Sequence, residues 1–323
     1  LKPLGDEYVQ TLTEGLTTER WVDRYENKGK RSGAFSSGSF TGKPYILLNY
    51  KEDVLRDLFT VAHEGGHSMH SYYSAKSNPF LHYDYTIFEA EVASTFNEQL
   101  VASYLIETAE DDRMKAFIIA KQLDDIVATL FRQTMFAEFE LNVHSKAEEG
   151  EPVTLKLIRE EYGALLRAYF GPTVTFLETS DLEGLRIPHF YSPFYVYKYA
   201  TGLSAAIALS KRVMEGGETE RDRYLSFLKS GGSKYPIDSL KEAGVDAAGA
   251  APVALRGYLL PVSGRLVAGF GAETPGQPRS RGVILAARGG AQVIAPAPGR
   301  VAFAGPYRGF GQIVIIDHAG GWT

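Results

Sequence analysis

His63-Glu64-Gly65-Gly66-His67 is the run whose residue types and spacing point most directly to chemistry. On a helix, positions i and i+4 share a face, so His63 and His67 can offer two imidazole nitrogens to one Zn²⁺ at about 2.0–2.1 Å. Glu64 is offset by about 100° of helix rotation, which suits a carboxylate that contacts metal-bound water in place of the metal. A catalytic zinc site also needs a third protein ligand and an open position for water. The segment TIFEAEVASTFNE (86–98) supplies Glu89, Glu91 and Glu98 on a predicted second helix. Glu91 and Glu98 lie seven apart and share a face, whereas Glu89 points elsewhere. Spacing leaves Glu91 or Glu98 as the ligand, with the other standing behind the metal shell. Carboxylates on a helix ordinarily form a solvated face; the His pair is what makes one of these a candidate ligand. His70 either lines the same cleft or packs structurally. His82 and His144 read as structural or solvent-exposed.

The elements that must position these groups are mostly helices. KEDVLRDLFTVAHEGGHSMHSYYSAK (51–76) places Leu55, Leu58, Phe59 and Ala62 at helical spacing, with Glu52 and Asp53 in the first turn, where the helix dipole favours anions. Further helices are predicted over 86–107, 111–146, 154–170, 194–215 and 219–230, the last ending at Gly231 and Gly232 as a C-cap signal. Ahead of them, GKRSGAFSSGSFTGKPYILLNY (29–50) reads as a strand pair.

The chain has 323 residues, 44% of them apolar, no Cys, and a formal net charge of -5. The length suggests about two domains. The absence of Cys removes disulfides, thiolate zinc sites and Cys nucleophiles, and is compatible with a reducing cytoplasm. The mild acidity leaves no footprint for nucleic acid, and no apolar run of about 18 residues is present to span a membrane. The sequence opens at Leu1 with no signal-peptide pattern and reads as a fragment or processed form. The average also hides a break. Residues 251–323 hold 14 of the 33 Gly and carry +5, with every basic residue an Arg, while residues 1–250 carry -10. The expected division is therefore 1–248 and 249–323, meeting at the Ala/Gly-rich stretch DAAGAAPVA (246–254), where two unlike sequences are joined. In the second part RLVAGFG, AQVIAP, GRVAFAG and GQIVIID are short apolar runs punctuated by Gly or Pro, and read as all-β.

H-E-G-G-H-S-M-H (63–70), followed 24 residues after His67 by Glu91 in FEAEVAST, resembles the thimet oligopeptidase and oligoendopeptidase F family of zinc peptidases, particularly its bacterial oligoendopeptidase F branch. GKRSGAFSSGSFTGKPYILLNY and IPHFYSPFYVYKYATGLSAA (187–206) are similar to the same branch, so the resemblance covers roughly residues 1–245. It implies a mainly helical, zincin-type metallopeptidase domain with a deep channel for short peptides, one zinc ion held by His63, His67 and Glu91, and Glu64 as general base. It implies as well that His189, Tyr197 and one earlier tyrosine, Tyr191, stabilise the transition state. The expected reaction is hydrolysis of internal bonds in short oligopeptides: zinc lowers the pKa of a bound water from 15.7 towards about 7, Glu64 takes its proton, and the hydroxide attacks the polarised carbonyl. Relatives of this kind act in the cytoplasm.

PVSGRLVAGFG and the run RSRGVILAA to HAGGW resemble the lysostaphin-type fold of murein hydrolases and their activators. Arg281 and Leu285 stand where that family would present a zinc-binding His and Asp, and neither side chain can take that role. His318 reads as a turn residue. The resemblance implies a small, truncated, non-catalytic β domain over about 255–323. It carries an alternative function, a cell-wall hydrolase activator with a murein amidase as partner, beside that of an inactive peptidase fragment.

Overall fold

The computed structural model describes residues 1–171 and 174–246, together with the backbone of four strands between 264 and 318. The chain divides into two compact units, one of Leu1–Tyr169 and Phe176–Ala248, the other of Phe170–Thr175 and Gly249–Thr323. The architecture is mainly helical with a small β part, as the sequence pattern leads one to expect.

In the larger unit α1 (Asp6–Leu16) leads to a three-stranded sheet of β1 (Val22–Asp23), β2 (Phe35–Ser37) and β3 (Tyr45–Leu47). β2 and β3 form the expected antiparallel pair, with Ser36 opposite Ile46, and β1 adds to the other edge of β3 in parallel. Then follow α2 (Leu55–Ser77), α3 (Ala90–Glu107), α4 (Asp112–Ile126), α5 (Arg132–Glu148), α6 (Leu155–Phe170), α7 (Glu183–Arg186), α8 (Tyr197–Ser230) and α9 (Pro236–Ala243). In the smaller unit β4 (Gly264–Ala268) pairs antiparallel with β5 (Ile284–Ala287), and β6 (Gly299–Tyr307) with β7 (Gly311–His318). His318 therefore ends a strand opposite Gly299, where a turn was expected. Residues 291–296, expected as a strand, and Arg281 lie outside the described residues.

Three helix boundaries differ from expectation for physical reasons. α2 begins at Leu55, so Glu52 and Asp53 precede it, and Asp57 is the acid of its first turn. The Asp57 carboxylate accepts from the Lys51 backbone N–H at 2.9 Å, which closes the turn that enters the helix. The stretch expected as one helix over 111–146 opens on Asp111, whose side chain caps Met114 N at 2.7 Å, but a π-helical segment, Val127–Phe131, separates α4 from α5. Periodicity alone does not reveal such a widened turn. The helices expected at 194–215 and 219–230 run together as α8, broken only at Gly217, where φ is 63°.

The core of this unit packs one face of α2 against α3 and α8. Met69 and Tyr73 of α2, Val92, Phe96 and Leu100 of α3, and Ala206, Leu209, Tyr224 and Phe227 of α8 are buried together with Tyr8 and Trp21. Phe96 stacks on Tyr224 with ring centroids 3.8 Å apart. Polar ties fix the register of the helices: Tyr8 donates to Asn97 Oδ1 at 3.1 Å, and Asn97 Nδ2 donates to the Ala62 carbonyl at 3.1 Å. α1, α2 and α3 are thus pinned at one amide.

His70 belongs to this core. It is 1% exposed, its ring centroid lies 3.7 Å from that of Tyr85 in a parallel stack, and the Phe227 ring packs near it at 5.3 Å, tilted by 37°. Burial lowers its pKa from 6.5 to about 3. The unfolded chain binds a proton at His70 below pH 6.5 that the folded chain refuses. Stability is therefore lost as pH falls from 6.5 towards 3, at up to about 1.4 kcal/mol per pH unit. His70→Phe should flatten this part of the profile, with a smaller loss of thermal stability between pH 7 and pH 5 than in the wild type. An equal loss in the two chains would contradict a buried neutral imidazole.

Candidate metal centre

Three helices bring their polar side chains to one point. α2 carries His63, Glu64 and His67, α3 carries Glu91 and Glu98, and α8 carries Lys198 and Tyr199. The helices can approach this closely because two positions lack a side chain. A Cβ on Gly66 would stand 2.3 Å from the Ala93 carbonyl oxygen of α3, and one on Gly202 would stand 2.5 Å from Glu91 Cβ. Glycine costs a helix about 0.5–1 kcal/mol relative to alanine, and here close approach of a neighbouring backbone explains both.

Ligand atoms of His63, His67 and Glu91 all lie within 4.8 Å of one another. Glu91 Oε2 is 3.3 Å from His63 Nε2 and 3.5 Å from His67 Nε2. On the far side of the first ring, His63 Nδ1–H donates to Glu98 Oε1 at 2.5 Å. A carboxylate on Nδ1 fixes the tautomer that leaves Nε2 as the donor atom and makes the ring more basic. Glu98 so stands behind His63 and Glu91 stands between the two imidazoles, the two places that spacing left open. Two Nε2 atoms and one carboxylate oxygen, carried on rigid helices and backed by a second carboxylate, fit the donor set of a three-ligand zinc site.

The electrostatics follow from burial and proximity. Burial alone would push Glu91 upward, but His67 and His63 outweigh it and hold its carboxyl well below the usual range. Burial likewise works against a charged His63, and the Glu91 and Glu98 carboxylates outweigh it, raising its pKa well above 6.5. Glu64 is raised, first by burial, with His63 and His67 pulling the other way. Its Oε2 is buried and has no hydrogen-bond partner, so this carboxylate is held next to the His pair without being committed to a protein donor. Glu89 precedes α3 and turns away, accepting from Thr86 Oγ1 at 3.4 Å; burial pushes it up to about 7.

These groups open on a cleft of about 1130 Å³ whose walls include Ala34, Phe59, His63, Glu64, Glu91, Glu98, His189 and Tyr199. Lys121, Asp125, Thr129 and Gln133, from α4 through the π segment to α5, line the same cleft. His189 reaches the cleft from the aromatic run before α8. Its Nε2 is 3.5 Å from the Tyr199 hydroxyl, a long contact, and its ring stacks on Tyr195. Tyr199 is kept protonated by burial and, next, by the Glu91 charge. Tyr191 and Tyr197 stand apart from this wall: Tyr191 is 78% exposed and donates to the Leu185 carbonyl at 3.1 Å, and the Tyr197 ring packs by Phe88. The structure brings Tyr199 and Tyr195, not Tyr191 and Tyr197, beside His189.

Two further residues hold the site and escaped the sequence reading. Lys198 pairs with Glu91 at 2.9 Å, and its signal was legible, because it is the single Lys, Arg, Asp or Glu in residues 187–206. Glu140 of α5 accepts from the Phe194 backbone N–H at 2.9 Å, where Phe194 sits at φ 56°. A non-glycine residue in the left-handed region is uncommon and is maintained by its surroundings. Nothing in the pattern around Glu140 gave that role away.

Comparison with known proteins agrees over the same span. Residues 2–256 match peptidase family M3, and residues 278–323 match peptidase family M23. An oligoendopeptidase F homolog of Borreliella burgdorferi is 57% identical over 246 residues, which are 76% of this chain and 42% of that protein. The oligopeptidase PepF of Bacillus subtilis is 51% identical over 253 residues, 78% of this chain and 38% of that one. The crystal structure of oligoendopeptidase-F from Enterococcus faecium superposes with a TM-score of 0.55 at 37% identity, covering 78% of this chain and 38% of the other. The chain thus spans about two fifths of the length of these relatives.

The two adjacent glycines of α2 should respond differently to substitution. Gly66→Ala meets α3 backbone and is expected to cost about 1–3 kcal/mol, as overpacking does. Gly65→Ala meets only the end of the Leu12 side chain at 3.3 Å, which can move, and the gain in helix propensity offsets the contact. Urea unfolding of the two variants checks this, and equal losses would argue against the close α2–α3 approach.

Proposed function

The chain belongs to peptidase family M3, and from that premise we propose that it is a zinc-dependent endopeptidase acting on short oligopeptides. The observation that carries the proposal is the cluster of His63, His67 and Glu91 donor atoms, with Glu98 on His63 Nδ1. The expected setting is the cytoplasm, in keeping with a chain without cysteine. Among the described residues no helix is long and apolar enough to cross a membrane.

When bound, a Zn²⁺ would supply Lewis-acid activation of a water molecule and polarisation of the scissile carbonyl. His63 and His67 would hold it through Nε2 and Glu91 through Oε2. Glu64 takes the proton of the attacking water and returns it to the leaving amine. A carboxylate whose pKa is raised by burial suits both halves of that transfer. Tyr199, kept protonated at the cleft wall, and His189 beside it would donate to the developing oxyanion. The family resemblance gives Tyr191 and Tyr197 a transition-state role as well; the exposure of Tyr191 and the packing of Tyr197 by Phe88 favour Tyr199 in their place.

A second reading rests on the match of residues 278–323 to peptidase family M23, a cell-wall hydrolase activator working through the β part. The two readings separate by measuring zinc stoichiometry and cleavage of a quenched fluorescent peptide in the wild type and in Glu64→Gln. The peptidase reading expects about one zinc in each chain, with cleavage falling roughly 10²- to 10⁴-fold in the variant. Unchanged cleavage in Glu64→Gln would remove Glu64 as the base. Zinc binding without cleavage by either chain would make this an inactive metal-binding remnant, and zinc-independent stimulation of a murein amidase would favour the activator.

A further inference from the structure

Lys198 has no place in the chemistry described above, yet it is only 5% exposed. An ammonium group out of water is unfavourable unless its partners are well placed. Its partners here are specific. Nζ lies 2.9 Å from Glu91 Oε1 and donates to the Tyr195 hydroxyl oxygen at 2.7 Å. It also lies over the Tyr195 ring, 4.0 Å from the centroid, and within 5.0 Å of that of Tyr199.

The two oxygens of Glu91 are therefore used differently. Oε2 faces the Nε2 atoms of both histidines and accepts from Ser94 Oγ at 3.1 Å. Oε1 faces Lys198. Gly202, one turn along α8 from Lys198, lets that helix lie against Glu91, since any side chain there would meet Glu91 Cβ. The backbone of α8 and the ammonium it carries are thus both set against the same carboxylate.

We infer that Lys198 is a positioning residue that occupies Glu91 Oε1, so that Glu91 offers a metal ion one oxygen only. This rests on the zinc reading of His63, His67 and Glu91. A carboxylate free to bind through both oxygens would take up a second coordination position. One held by an ammonium on its other oxygen leaves that position for water. Lys198 also links the ligand to the aromatic wall, because its second hydrogen bond ends on Tyr195, whose ring packs against His189.

The test uses the full chain with Lys198→Met and Lys198→Gln. Zinc affinity is measured by competition with a chelator, and the coordination number is read from the visible absorption of the protein loaded with Co²⁺. Lys198→Met is expected to bind zinc about 10- to 100-fold more weakly, the range typical of losing a group that orients a ligand. Its Co²⁺ bands should also weaken, as Glu91 turns to bind through both oxygens and the site gains a ligand. Lys198→Gln, which keeps a donor, should recover part of both. A folded Lys198→Met with wild-type zinc affinity and an unchanged Co²⁺ spectrum would overturn the inference. Loss of fold in both variants would do the same, by making Lys198 a stability element. Failure of the wild type itself to bind zinc would instead sink the metal reading on which the inference stands.

Discussion

A carboxylate at 3% exposure, set between two imidazoles and an ammonium, is the constraint around which the helical unit is arranged. Such a charge is tolerable only when every partner is present, and removing one partner of a buried pair typically costs about 3–5 kcal/mol. The partners of Glu91 come from α2 and α8, so these helices must meet α3 at fixed height and rotation. Gly66 and Gly202 make the approach possible. The Asn97 amide and the stack of Phe96 on Tyr224 keep it in register. Packing and charge here are one problem, since the apolar contacts set the distances that the polar cluster needs.

The aromatic run before α8 adds His189 to the cleft wall. It is neither strand nor long helix, and its shape is held by a few contacts. Phe194 takes a left-handed backbone that Glu140 secures through its N–H. Tyr195 is held by Lys198, and His189 lies against Tyr195. A loop fixed in this way can hold His189 at the cleft with a definition that an irregular segment ordinarily lacks.

The parts of this arrangement that sequence made legible are those governed by local periodicity. The His pair and Glu64 follow from i, i+1 and i+4 on one helix, and the shared face of Glu91 and Glu98 from a spacing of seven. The strand pair at β2 and β3 and the Gly231 stop were equally local. Which of the two glutamates lies between the histidines was not, because it depends on the height at which α3 crosses α2. The same holds for His70, whose type suggested chemistry and whose surroundings, Tyr85 and Phe227, make it core. The tyrosines at 191, 195, 197 and 199 could not be ranked from sequence, since an irregular segment gives no period from which to read a face. In the smaller unit the runs at 264–268, 299–307 and 311–318 do form strands. Their Gly and Pro punctuation is a strong local signal.

The π segment at Val127–Phe131 bears on how the cleft wall is ruled. In an ordinary helix a residue four positions on overshoots a full turn by about 40°, so a row spaced by fours precesses by about 120° over three steps. Lys121, Asp125, Thr129 and Gln133 are such a row, yet all four line the same cleft. A turn that takes in an extra residue winds back part of the overshoot midway along the row. The helical stretch from α4 to α5 can then keep these four polar side chains on one cleft over about three turns, where a regular helix would have carried its last members around to another face.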